Sequence, residues 1–228
     1  MTSKKTCNIA SSLERWADEK PDSPAIIEVS SGKQKTFKEL ESESSLLASG
    51  LVQYGMKPGN RVLLMIPYGI DFVILAFAMF KAGLVSVLID PGLGKINLLK
   101  CIKQIQPQGM IAISLAHAIR KLIPTIFKSI EHNVTVGKRW FWGGITLKQL
   151  QDSRQMGFKL ASMDEEDAAA ILFTSGSTGP AKGVLYTHGI FNHQVRVLQE
   201  QFNIQNDEID LPTFPLFGLF NSGLGVTS

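Results

Sequence analysis

At 228 residues, 44% hydrophobic and 19% charged, the chain has the make-up of a packed fold and excludes a mostly disordered one. A chain this long removes roughly 70% of its unfolded surface from water on folding, so its core needs neither disulfides nor a structural metal. The net charge is only +3, and with Lys and Arg read as spread along the chain it argues against a nucleic-acid partner.

Length alone suggests one large domain, or one domain and a piece of another. Cys7 and Cys101 are the two cysteines, and neither sits in a Cys-x-x-Cys pair, which argues against a disulfide framework or a cysteine zinc site. The N-terminus is basic without a following apolar run, unlike a secretory signal. Val62 to Ile89 is the most hydrophobic stretch. Asp71 and Lys81 cut it well below the ~20 apolar residues that a bilayer span requires, and Pro67 and Gly69 punctuate it further. The expectation is a cytoplasmic protein with no transmembrane segment.

Ala25 to Ser30 reads as a strand, followed by a turn at Ser31-Gly32-Lys33. The first clear helix starts at Thr36. Thr36 and Glu39 form a capping box, Phe37, Leu40, Leu47, Leu51 and Tyr54 share a face, and Gly55 stops it. Arg61 to Pro67 is a short apolar strand. Asp71 to Lys81 is apolar nearly all round, the mark of a helix covered on most sides. Gly83 ends it, and Val85 to Ile89 is another buried strand.

The alternation continues with a helix around Ile96 to Ile105, a strand from Met110 to Ser114 and a helix from Leu115 to Leu122. Strand–helix–strand units with short links predict right-handed crossovers, and continuous apolar strands predict a parallel sheet covered on both faces. The fold class is therefore α/β, layered around a parallel sheet. Pro124 to Leu160 offers only strand-like and turn-like pieces. Beyond Asp210 no charged residue occurs, while Leu211, Phe214, Leu216, Phe217, Leu219, Phe220, Leu224 and Val226 crowd the segment. Termini are usually polar, so this one reads as a fold cut in its interior.

The chemistry concentrates after the strand Ala168 to Phe173. Thr174-Ser175-Gly176-Ser177-Thr178-Gly179-Pro180-Ala181-Lys182-Gly183 leads directly into a second strand, Val184-Leu185-Tyr186. Gly176 and Gly179 allow close backbone approach, exposed N–H groups can form an anion nest, hydroxyls add donors and Lys182 adds positive charge. The loop is not a Walker A motif, since Ala181 precedes the lysine and Gly183 follows it. No helix begins directly after it, so a helix dipole is not its main anion trap. A flexible Gly/Ser turn is the alternative reading of the same letters, although such a turn has no use for the lysine.

Phe173 to Gly183 resembles the signature loop of the adenylate-forming enzymes, which include acyl-CoA synthetases, luciferases and peptide-synthetase adenylation domains. Thr36-Phe37-Lys38-Glu39-Leu40 resembles an early block of that family, and Phe80-Lys81-Ala82-Gly83 leading to Ile89-Asp90-Pro91 resembles a second. Within the family, the loop together with Asp210-Leu211-Pro212-Thr213-Phe214-Pro215-Leu216-Phe217 is most similar to the β-lactone synthetases of bacterial olefin biosynthesis. Two departures from the broad family fit that group. Pro180 stands one place early before Lys182, and Gly218 stands where a histidine is common, which should leave more room beside the carboxylate site.

The resemblance implies that residues 1–228 form the N-terminal part of an AMP-binding (adenylation) domain. The C-terminal part of the large domain and a small mobile domain are then absent. It implies ATP and Mg2+ as cofactors and a fatty or 3-hydroxy acid as substrate. Thr174, Ser175, Gly176, Ser177, Thr178, Gly179 and Lys182 would hold the nucleotide, with Thr178 and Lys182 serving the reaction, and Phe217 and Gly218 would line the substrate side. No protein metal ligand is identified. The implied reaction forms an acyl-adenylate with loss of pyrophosphate, then a β-lactone with loss of AMP. The family blocks that hold adenine and ribose have no counterpart here, so the chain alone is expected to be inactive. A fatty acyl-CoA synthetase, a nucleotide-binding module without chemistry and a truncated remnant are the alternatives.

Other candidates have structural readings. His188 reads as a helix-start residue making local hydrogen bonds before the helix Gly189 to Phe202, with direct chemistry the lesser alternative. Asp164 to Asp167 reads as a solvated loop, with a metal site the lesser alternative, and Asp90-Pro91 as a strand end. Lys138-Arg139-Trp140-Phe141-Trp142 reads as strand packing, with single-strand nucleic-acid binding the lesser alternative. Phe217 and Phe220 read as core, with an acyl pocket as the alternative.

Overall fold

Alternation of side chains along the central strands sorts the apolar residues into two cores. The computed structural model describes residues 6–152, 158–174, 181–212 and 217–228. It opens with helix α1 (Ser11–Glu19), then an antiparallel hairpin of β1 (Pro24–Glu28) and β2 (Lys33–Thr36), then α2 (Phe37–Gln53). Next come β3 (Arg61–Met65), α3 (Ile70–Lys81), β4 (Val85–Ile89), α4 (Lys95–Ile105), β5 (Gly109–Ile113) and α5 (Ser114–Leu122). The remainder is β6 (His132–Val136), β7 (Ile145–Thr146), α6 (Leu147–Asp152), β8 (Ala168–Thr174), β9 (Lys182–Thr187), α7 (His188–Phe202) and α8 (Gly218–Leu224).

Among the described residues, seven strands form one sheet in the order β7-β6-β5-β3-β4-β8-β9. Every neighbouring pair is parallel except β8 with β9. Val62 and Leu64 of β3 and Ile111 of β5 face α2 and α3. Leu63, Val87, Met110 and Ala112 face the other way, onto Cys101 and Ile102 of α4 and Ala116 of α5. The crossover through α3 runs one way along the sheet and those through α4 and α5 run the other, on opposite faces, as right-handed connections require. Links therefore diverge at the carboxyl ends of β5 and β3 and again at those of β4 and β8, the places where an open α/β sheet leaves a crevice.

The sequence reading of the central strands and helices holds, including the capping box. Glu39 N–H donates to Thr36 Oγ1 at 3.2 Å, and Thr36 N–H donates to the Glu39 carboxylate at 2.9 Å. Gly55 takes φ +102° just past the helix, a conformation that favours glycine. Three elements differ from expectation. α1 precedes the helix read as first, and it buries only Leu13 and Trp16. The turn after β1 continues into β2, whose four residues are polar and carry no strand pattern. The segment read as strand packing, 138–142, is a loop between β6 and β7: Trp142 is buried, whereas Trp140 and Phe141 are exposed. Among the described residues no helix is long and apolar enough to cross a membrane.

The charge distribution also departs from the reading of an even spread. Residues 91–151 carry nine lysines and arginines against a single acid, Glu131. The rest of the chain is therefore net acidic.

α3 is buried along almost its whole length, and its one cation is buried with it. Lys81 Nζ donates to the Glu41 carbonyl at 3.1 Å and to Ser45 Oγ at 2.7 Å, and it pairs with the Glu41 carboxylate. Burial pushes the ammonium below the ordinary lysine range, while Glu41 pulls it back. Removing one member of such a pair strands the other's charge against apolar neighbours. Lys81→Met should cost about 3–5 kcal/mol in urea unfolding, and adding Glu41→Met should recover more than half of the loss.

Candidate functional site

β8 is apolar because both its faces are covered, and its two neighbours fix its position. Ile89 of β4 lies opposite Phe173 in parallel register, and Lys182 of β9 lies opposite Thr174 in antiparallel register. The end of β8 and the start of β9 thus meet at the carboxyl edge of the sheet, beside the end of β4. Gly183 sits across from Phe173. A Cβ there would lie 3.1 Å from the ring Cζ, so the ring packs directly on glycine backbone.

Ser175, Gly176, Ser177, Thr178 and Gly179, the expected nucleotide ligands, lie outside the described residues, as does the side chain of Thr174. Of the expected phosphate-binding groups, the structure places the Thr174 backbone and Lys182, brought face to face by the hairpin. Lys182 is exposed at the first position of an outer strand whose residues 182–185 are all exposed. Asp90, next along from β4, is a turn residue: its carboxylate accepts from Gly92 N–H at 2.8 Å and its carbonyl from Leu93 N–H at 3.1 Å. Among the described residues, no three His, Cys, Asp or Glu side chains gather to hold a metal.

The second group of candidates meets at the start of α8. Gly218 is buried, and a Cβ on it would come within 2.1 Å of Tyr68 Oη. The room expected where a histidine is missing is therefore taken, on that side, by the Tyr68 phenol. Sequence reasoning missed Tyr68, because its neighbours Pro67 and Gly69 read only as turn punctuation. Phe220 is core, as expected. Phe217 is not: it is 57% exposed, although its ring still lies 6.2 Å from that of Phe220. Asp210 accepts from Asn221 Nδ2 at 2.8 Å, which ties the segment before α8 to the helix. A cleft of about 630 Å³ at the carboxyl end of β3 has Glu28, Lys33, Tyr68, Asp71 and Val136 among its walls, and Lys182 is not one of them.

His188 opens α7, as expected, and Thr187 is its cap, but the hydrogen bond of the ring is not local. Its Nδ1 accepts from Ile9 N–H at 3.1 Å, joining residues 179 apart in the chain. The proton of the neutral ring is then on Nε2, which is buried without a partner among the described residues. Burial lowers the imidazole to about 4, partly opposed by Asp167. A ring that both accepts from a backbone N–H and resists protonation is a structural clasp between the N-terminal segment and α7.

The sign of the resulting pH effect follows from that depression. The contribution is complete above the unfolded histidine value near pH 6.5 and is lost as pH falls towards about 4. Urea unfolding should show up to roughly 3 kcal/mol of this loss, and His188→Asn, which keeps an acceptor but cannot titrate, should flatten the dependence.

Comparison with known proteins agrees with this architecture. The chain is 43% identical to an "Olefin beta-lactone synthetase" of Xanthomonas campestris, an alignment covering 97% of this chain and 42% of that protein. It is 41% identical to a protein of the same name from Stenotrophomonas maltophilia, with the same coverage. The chain thus spans less than half the length of these relatives. Among solved structures, an anthranilate CoA ligase in complex with anthranoyl-AMP superposes with TM-score 0.87 at 18% identity, over 99% of this chain and 45% of that one. A long-chain-fatty-acid-CoA ligase from Archaeoglobus fulgidus gives TM-score 0.82 at 24% identity, over 99% and 46%. At those identities the likeness speaks for the fold. The family model described as "AMP-binding enzyme" matches residues 13–224, so the chain belongs to the AMP-binding enzyme family.

Proposed function

We propose that this chain supplies the phosphate-binding part of an enzyme that activates a 3-hydroxy fatty acid with ATP and closes it to a β-lactone. The observation that carries the reading is the 43% identity to an olefin β-lactone synthetase across 97% of the chain, the signature loop included. The position of that loop supports it. The hairpin presents Lys182 at the carboxyl edge of the sheet, beside one of the places where the strand links diverge.

In the first step a carboxylate oxygen of the acid attacks the α-phosphorus of ATP, and the bond to the β-phosphate oxygen breaks. Pyrophosphate leaves and an acyl-adenylate remains. The protein's part is to hold the triphosphate in line and offset its charge. On this reading Lys182 neutralises phosphate oxygens, Thr178 and the neighbouring hydroxyls donate to them, and the backbone at Gly176 and Gly179 comes close enough to add N–H donors. Magnesium, if bound, would offset phosphate charge; among the described residues no cluster of three His, Cys, Asp or Glu side chains is gathered to hold it.

In the second step the 3-hydroxyl oxygen of the substrate attacks the activated carbonyl carbon. The bond to AMP breaks, the hydroxyl proton is lost to solvent, and a four-membered lactone forms. Both nucleophiles belong to the substrate. Gly218, standing where the broad family commonly has a histidine, is the sequence feature that favours this group over an ordinary CoA ligase, although Tyr68 takes up the room on one side of it. Phe217, exposed beside it, is then available to the acyl chain.

The reading places residues 1–228 in the N-terminal part of the adenylation domain. Exchange of labelled pyrophosphate into ATP tests it. Added 3-hydroxy fatty acid should stimulate exchange in a full-length version and not in residues 1–228 alone. Lys182→Ala combined with Thr178→Ala should lower exchange by roughly 100-fold or more, since each removes a hydrogen bond to a charged group. Undiminished exchange in the double variant, or a CoA thioester as the product in place of a lactone, would overturn it.

A further inference from the structure

We infer that the face built by α4, α5 and the loop at Trp140–Trp142 docks on an anionic lipid bilayer. The two faces of the sheet end differently. On one, α3 is buried almost throughout. On the other, α4 and α5 are the outermost layer, and residues 91–142, which build it with the strands beneath, carry eight bases against Glu131.

This face also exposes apolar side chains in an ordered pattern. On α5, Ala116 and His117 turn inward, while Leu115, Ile119 and Leu122 are 65%, 39% and 81% exposed. Their spacing of four and three residues puts them on one stripe of the helix. Beside it, Trp140 and Phe141 are 59% and 76% exposed. Their rings lie 5.3 and 5.4 Å from that of Trp142, which is buried and stacks on His117 of α5 at 5.7 Å. Ser114 Oγ donates to the Lys138 carbonyl and fastens the loop to the start of the same helix. The aromatic tip is therefore held against α5, with Lys121 and Lys138 exposed around it. Between the end of α4 and residues 124–129, a groove of about 600 Å³ brings Lys103 and Lys128 to one hollow.

Exposed Trp, Phe and Leu among lysines and arginines suit a surface that is apolar beneath and anionic on top, which is the boundary of an acidic bilayer. A second copy of the chain is disfavoured, because two such faces repel. A nucleic acid would take up the charge but leave the aliphatic stripe Leu115, Ile119 and Leu122 without a partner. The inference rests on charge and exposure and is independent of the ATP chemistry.

The test uses residues 1–228, and in parallel the full-length version, with vesicles of phosphatidylcholine alone and with about one third phosphatidylglycerol. Sedimentation should show binding to the anionic vesicles, weakened by high salt, and only marginal binding to the neutral ones. Tryptophan emission should shift to the blue, because Trp140 is exposed while Trp16 and Trp142 are 5% and 1% exposed. Lys121→Glu, Lys128→Glu and Lys138→Glu together should weaken partition by on the order of 100-fold or more. Trp140→Ser with Phe141→Ser should remove the emission shift, and Leu185→Ser on the exposed strand β9 should change neither reading. The inference is overturned by equal binding to neutral vesicles, by no binding, by loss of binding in Leu185→Ser but not in the charge variant, or by tighter binding to a single-stranded oligonucleotide than to vesicles.

Discussion

A strand placed between a parallel and an antiparallel neighbour has little freedom of register, and β8 is that strand here. Slipping it by one residue would turn Ala170 and Phe173 to the wrong faces, since side chains alternate. Its end is thereby fixed beside the end of β4, and the antiparallel return fixes Lys182 opposite Thr174. The two described ends of the connection, Thr174 and Lys182, are therefore set by the sheet. Precision at the site is inherited from the core.

The buried helix α3 shows the same economy in a different form. A helix that is apolar all round can sit between layers, but a lysine within it must bring its own counter-charge. Glu41 and Ser45 of α2 provide that, so the pair also fixes how α2 and α3 lie against one another. The Phe80-Lys81-Ala82-Gly83 block is therefore intelligible as architecture, without a role at the phosphate loop.

The parts of the fold that were legible in the sequence are those in which one residue's neighbours decide its fate. Val85–Ile89 reads as a buried strand because it is apolar throughout, and Thr36 reads as a cap because Glu39 lies three residues on. The hairpin strand β2, Lys-Gln-Lys-Thr, is a strand only because β1 pairs with it, and no periodicity betrays that. β6 and β7 were hidden for a similar reason: His132–Val136 is mixed in polarity and Ile145–Thr146 is two residues long. At the site, the letters of the loop, hydroxyls, glycines and a lysine, give an expectation of phosphate binding, and residues 175–179 lie outside the described residues. His188 was legible only in part, since its partner Ile9 lies across the whole chain. Tyr68 was invisible, because its meaning is its distance from Gly218. The basic face escaped notice because the bases are indeed spread along the chain; it is the acids that are missing from residues 91–151, where Glu131 stands alone.

The end of the chain returns to its beginning. Ser228 N–H donates to the Ala25 carbonyl at 3.0 Å, Ile27 N–H donates to the Ser228 carbonyl at 2.8 Å, and Trp16 Nε1–H reaches the Gly223 carbonyl at 2.9 Å. A ribosome adds about 5–20 residues each second, so α1 and β1 emerge many seconds before the groups that complete them. Contacts of such long sequence separation close late. During synthesis the first hairpin waits, half-satisfied, while the sheet behind it assembles, and its unpaired strand edge stays open for that interval.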